Sequence, residues 1–169
     1  GLSIFFPQII KLIRKCFTDE ALKTLDCLRQ SWEKHRDASP ASELTWLTLV
    51  SILRSVSHVG TAPWQYVLPK KNKSKPAVPL DAFKLKVRTI AADMQSLRCQ
   101  VDGPHATLIE SDARTCQGIL NNGVDLVITS PPYANNYDYA DATRLEMSFM
   151  GEIKDWGDLQ EVVRRHLVR

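Results

Sequence analysis

Residues 125–133 read Asp-Leu-Val-Ile-Thr-Ser-Pro-Pro-Tyr, and this stretch constrains the chain more than any other. The run from Leu126 to Thr129, led in by Val124, is short, apolar and rich in β-branched side chains, the pattern of a strand buried on both faces. Pro131 and Pro132 then end it. Proline lacks an N–H for a sheet ladder and fixes its own φ, so the chain is expected to leave the sheet in a rigid, extended turn. In open α/β sheets ligands collect just past the carboxyl ends of the strands. Ser130 to Tyr133 stand at such an end.

A matching unit lies upstream. Ala106-Thr107-Leu108-Ile109-Glu110 reads as a short strand, with Ser111-Asp112-Ala113-Arg114 at its carboxyl end. A helix over about 113–120 is expected to stop at Asn121-Asn122-Gly123, before the strand at 124–129 begins. A crossover of about a dozen residues is long enough for two strands to pair in parallel. Parallel pairing puts both strand ends on one edge of the sheet, with Asp112 and Ser130 beside one cleft. Asp112 also suits the N-cap of the following helix.

Thr-Ser-Pro-Pro-Tyr after an Asp-Leu-Val-Ile strand resembles the catalytic motif of S-adenosylmethionine-dependent amino-methyltransferases. The Ser form is most similar to the DNA cytosine-N4 enzymes, and adenine-N6 enzymes more often carry Asp. Ala134-Asn135-Asn136-Tyr137-Asp138-Tyr139 also looks typical of prokaryotic DNA modification methylases, which work in the cytoplasm and often within restriction-modification systems. The specific resemblance covers about 106–151. It implies an α/β fold, part of a Rossmann-like methyltransferase parallel sheet preceded by a helical region. It implies S-adenosylmethionine as cofactor and DNA as partner. It also places a cofactor contact at Asp112, with help from the Ala113 backbone, and lets Ser130 serve both cofactor and base.

The chemistry suits the residue types. An exocyclic amine conjugated into a base ring is a poor nucleophile and needs acceptors that draw charge from it as the methyl arrives. The Ser130 hydroxyl and the Pro131 carbonyl are two such acceptors on a loop stiffened by Pro132. A base taken out of its stack is held by aromatic stacking, for which Tyr133 is the candidate platform. Asn135 and Tyr137, in the polar aromatic loop after it, are candidates to close over the target base.

Helical spacing predicts one or two helices over about 7–34, with Thr18-Asp19-Glu20 as a cap between them. A strongly apolar helix from Ser42 to about 58, with Leu44, Trp46, Leu49, Ile52 and Leu53, is expected at the buried centre of a helical layer. Residues 60–80 read as a proline-containing loop. Its basic core is Lys70-Lys71-Asn72-Lys73-Ser74-Lys75, with Trp64 and Tyr66 just before it. Aromatics beside clustered lysines suit a loop that tracks a nucleic-acid backbone, and Lys70, Lys71, Lys73 and Lys75 are the candidate contacts. A solvated loop is the other reading. A helix over about 80–97 leads toward the sheet, and two more, over 141–150 and 158–168, close the chain. In these Leu145, Met147, Phe149 and Met150 are expected to be partly buried. The organisation expected is a helical region over 1–100 and a partial methyltransferase core over 101–169.

The chain has 169 residues, is 44% hydrophobic and carries a net charge of +3, which is compatible with a nucleic-acid partner. No apolar run approaches the ~20 residues of a membrane span, and no signal peptide is recognisable. The four cysteines form no Cys-x-x-Cys pair and do not cluster with the four histidines, so no metal site is expected. The family's glycine-rich cofactor loop has no counterpart among the seven glycines. The expected activity, methyl transfer to a base amine in DNA with cytosine N4 favoured over adenine N6, therefore calls for a further segment or partner chain to supply that loop. An RNA amino-methyltransferase and a catalytically inactive nucleic-acid- or partner-binding fragment are the alternatives.

Overall fold

A computed structural model describes residues 11–61, 67–73, 75–98, 106–112, 114–129 and 139–166. It is built mainly from helices: α1 (Lys11–Cys16), α2 (Asp19–His35), α3 (Pro40–Val56), α4 (Pro79–Arg98), α5 (Tyr139–Ala142), α6 (Arg144–Met150) and α7 (Trp156–Val162), with a 3-10 turn at Arg164–His166. Strands β1 (Val59–Thr61) and β2 (Val67–Asn72) pair antiparallel, Gly60 opposite Leu68 and Thr61 opposite Val67.

Local chemistry sets the helix ends. The Thr18 hydroxyl accepts from the Ala21 N–H at 3.2 Å and starts α2. Ser39 accepts from the Ser42 N–H at 3.3 Å and starts α3, with Pro40 in the first turn, where its missing N–H costs nothing. Helix α3 thus begins before Ser42, and Pro40 opens it rather than breaking the chain. At the end of α6, Gly151 adopts φ +79° and the Glu152 N–H donates to the Met147 carbonyl at 2.9 Å. Only a residue without Cβ takes that left-handed turn freely.

The main core is one cluster drawn from distant parts of the chain. Ile13, Cys16 and Phe17 from the first helix and its exit, Leu22 and Leu25 from α2, and Leu49, Ile52, Leu53 and Val56 from α3 meet Val59 of β1 and Leu145 and Phe149 of α6. Leu145 and Phe149 are fully buried, deeper than their sequence pattern suggests. Helix α3 buries one face in this core but leaves Leu47 about half exposed, so it is not encased on all sides. A second, smaller cluster joins Ala140, Ile153 and Leu159. Arg29, on the face of α2 read as solvated and basic, instead forks the half-buried carboxylate of Asp26 at 2.8 Å and reaches Glu33 at 2.5 Å.

The expected α/β architecture is not what forms. Among the described residues the sheet is the β1–β2 hairpin, and residues 106–112 and 114–129 contain neither strand nor helix. The segments expected as strands run without ladder partners, with Leu108 96%, Leu126 72% and Ile128 88% exposed. The expected crossover helix is replaced by turns, with Cys116 at φ +48°, Gly118 at φ +88° and Asn122 at φ +57°. The physical reason is cooperative. Parallel strands are stable when helices cover both faces, and a pair of strands without further neighbours is marginal at best. With no helix over 114–120, the strand-like sequences at 106–110 and 124–129 have nothing to bury against.

Cys16 gives a test of how tightly the main core is closed. Its side chain is fully buried, and its carbonyl accepts from the Ser57 hydroxyl at 3.0 Å and the His58 N–H at 2.9 Å. Burial pushes the thiol from 9.0 up to about 11, against opposing contributions from the Arg144 charge and the Ser57 hydroxyl. The folded state therefore holds this proton more tightly than the unfolded state. The linked stability is fully present below about pH 9 and is lost as pH rises toward 11. Urea midpoints should fall across that window, and Cys16→Ala should remove part of the fall. An unchanged slope in the variant would show that the thiol is not closed off.

Candidate functional site

The candidate site divides into residues whose placement is described and residues whose placement is not. Ser130, Pro131, Pro132, Tyr133, Asn135 and Tyr137 lie outside the described residues, as does Ala113. The helices after the motif segment are well defined. Helix α5 begins at Tyr139, and Ala140 is fully buried against Ile153 and Leu159. Helix α6 then drives Leu145 and Phe149 into the main core. The chain leaving the motif is therefore fastened to the helical body within a few residues.

Asp112 is exposed. Its carboxylate forms a forked ion pair with Arg114, at 2.5 Å to Nη2 and 2.9 and 3.0 Å to Nε. The Arg114 N–H also donates to Asp112 Oδ1 at 2.9 Å, and the Asp112 carbonyl accepts from the Thr115 N–H at 3.0 Å. The carboxylate's hydrogen bonding and charge hold the Arg114 pKa above its ordinary value. Asp112 thus organises a tight turn. A hydroxyl or amine arriving at this carboxylate must compete with the Arg114 fork, which matches carboxylate geometry closely.

The four candidate lysines fall in different settings. Lys70 and Lys71 belong to β2, so the stretch read as a loop is one arm of a hairpin. Lys73 lies just past the hairpin. Its N–H donates to the His58 carbonyl at 2.7 Å, and its ammonium donates to the Arg54 carbonyl at the end of α3. Burial, then the nearby Arg54 charge, hold the Lys73 pKa below the usual lysine range. Lys73 is thereby a staple between hairpin and helix. Lys75 is exposed.

Sequence reasoning missed two arrangements. Arg54 crosses from α3 to α6, pairing with Glu146 at 2.6 and 3.1 Å and donating to the Ala142 carbonyl. Nothing local signals this contact, because its partners lie far away in sequence. The other is an indole carrying two guanidiniums. Arg144 and Arg164 lie over Trp156 at 4.7 and 4.8 Å from the ring centroid, and Arg144 also meets Asp141 at 3.1 Å. A cavity of about 400 Å³ opens between the end of α2, the start of α3 and Phe83 of α4. Its polar groups include several already engaged in capping: Trp32 Nε1 donates to the Ser42 carbonyl at 3.1 Å, and Asp37 accepts from the Ser39 hydroxyl at 2.5 Å. These bonds join the two helices.

No group of three metal-ligating side chains occurs among the described residues, and no helix among them is long and apolar enough to cross a membrane. No protein-family model, curated protein or solved structure matches the chain.

The described residues do not fit S-adenosylmethionine. Asp112 offers one carboxylate, but it is exposed and forked by Arg114, and its described neighbours from 106 to 129 are exposed as well. A bound cofactor needs most of its surface enclosed.

Proposed function

We propose that this chain carries the base-recognising, motif-bearing part of a DNA amino-methyltransferase, cytosine N4 favoured over adenine N6. The single observation that carries the reading is the sequence Thr-Ser-Pro-Pro-Tyr at 129–133. In this reading the Ser130 hydroxyl and Pro131 carbonyl accept hydrogen bonds from the target amine, and Tyr133 stacks on the extruded base. Rigid attachment of the residues after the motif, through Ala140, Leu145 and Phe149, supports it, because acceptors aimed at a reacting atom must not drift.

The methyl donor, S-adenosylmethionine, belongs to the proposal rather than to the described residues. Their open setting around Asp112 favours a further segment or partner chain that completes the cofactor half and covers residues 106–129. This chain alone is therefore expected to transfer no methyl group.

Labelled methyl transfer to DNA by the complete enzyme tests the assignment. Ser130→Ala and Tyr133→Ala should each lower turnover, Ser130→Ala by about a hundredfold or more, with the helical circular-dichroism signal unchanged. Turnover near that of the unaltered enzyme would remove the assignment. Transfer to RNA in preference to DNA would move the substrate class and leave the chemistry standing.

A further inference from the structure

Helix α4 carries an apolar seam that outruns the body it packs on. Leu80, Phe83, Val87, Ile90, Met94 and Leu97 recur at alternating steps of three and four, which is the spacing of a heptad seam. Its first half is anchored, since Ala82 and Phe83 pack against the main core. Its second half is not: residues 91–97 are exposed at every position. Along the seam Leu80 is 42%, Val87 43%, Met94 51% and Leu97 54% exposed. A helix standing free in water has no reason to maintain such a stripe over three turns, because helical stability in proteins comes mainly from packing an apolar face.

The charges beside the seam point to its occupant. Lys86 and Asp93 occupy the same flanking position one heptad apart. When two copies of α4 lie antiparallel about a two-fold axis midway between these residues, Lys86 of each copy faces Asp93 of the other. The pairing is reciprocal, as an isologous contact requires. The same axis sets Val87 beside Ile90 of the second copy. It also brings each bare distal half alongside the other copy's helical body.

The geometry points to α4 as the homodimer interface of this chain, an antiparallel helix pair sealed by Leu80, Val87, Ile90, Met94 and Leu97 and keyed by Lys86 against Asp93. The interface is independent of the proposed chemistry and concerns assembly alone.

Sedimentation equilibrium of the chain, with circular dichroism on every variant, tests it. The unaltered chain should have the mass of two copies. Asp93→Lys should raise the dimer dissociation constant at least tenfold by setting Lys86 against lysine, and Lys86→Asp should do the same by setting aspartate against Asp93. Combining Lys86→Asp with Asp93→Lys should restore the dimer, because the exchange recreates the pair. A monomeric unaltered chain would assign the seam to another partner and overturn the proposal. So would a dimer indifferent to both single reversals, or an exchange that keeps its helical signal and stays monomeric.

Discussion

Phe149→Ala is expected to destabilise the protein by about 3–5 kcal/mol, the cost of emptying a large, closed core position. Phe149 is fully buried, and its ring lies 6.5 Å from that of Phe17 at an interplanar angle of 58°. That tilted arrangement is favourable for aromatic pairs beyond their area burial. The residue also belongs to the same cluster as Ile13, Leu53 and Val56, so its loss exposes contacts from α1 and α3 as well as from α6. Little collapse into the void is expected, because the neighbours come from separate helices held by their own caps. Urea denaturation followed by far-ultraviolet circular dichroism measures the effect. A loss below about 1 kcal/mol, the range of ordinary surface substitutions and mild core changes, would mean that α6 is not an integral part of the core.

Arg54→Ala is expected to cost about 2–3 kcal/mol, within the range for hydrogen bonds made by charged groups and the carboxylate left behind. The guanidinium holds both oxygens of Glu146 and reaches the Ala142 carbonyl, so one side chain ties α3 to the turn between α5 and α6. Both partners are about one-fifth exposed, 21% for Arg54 and 23% for Glu146. That places the pair between a surface bridge, worth little, and a buried one, where removing one partner is costly. Stability measurements on Arg54→Ala, Glu146→Ala and the double variant separate the pair from its surroundings. A coupling of about 1–2 kcal/mol is expected, and strictly additive losses would show that the two side chains do not work together. Because these contacts hold the residues just after the Ser130–Tyr133 motif, Arg54→Ala also reports on whether the motif's anchor must be rigid.

The helices and the missing sheet show how differently the two kinds of element are written in the sequence. Thr18 before Asp19, Ser39 before Pro40 and Gly151 after Met150 are local signals, and each helix end they announce is present. The apolar spacing over 80–97 likewise yields α4 almost unchanged, as Pro79–Arg98. A helix satisfies its hydrogen bonds within its own segment, so propensity, caps and period can be read without knowing the neighbours. The run Leu126-Val127-Ile128 is as apolar as any core strand, yet it is exposed. A strand's hydrogen bonds belong to another segment, and sequence pattern does not reveal whether that segment is in place. The reverse holds at 67–72, where proline and lysine suggest a loop and pairing with Val59–Thr61 makes a strand.

The site follows the same division. The residue types at 130–133 and their chemical suitability were legible in the sequence alone. The reach of Arg54 to Glu146, the diversion of Lys73 to the Arg54 carbonyl and the fork of Arg114 on Asp112 were not. The sequence by itself determined where helices start and stop, which of their faces are apolar, and which residues carry candidate chemistry. Only the tertiary structure decided that Leu145 and Phe149 belong to the same core as Ile13 and Leu53, and that the strand-like segments stand uncovered. The physical reason is range: caps and helical periods act over a few residues, whereas burial and β pairing depend on segments far apart in the chain.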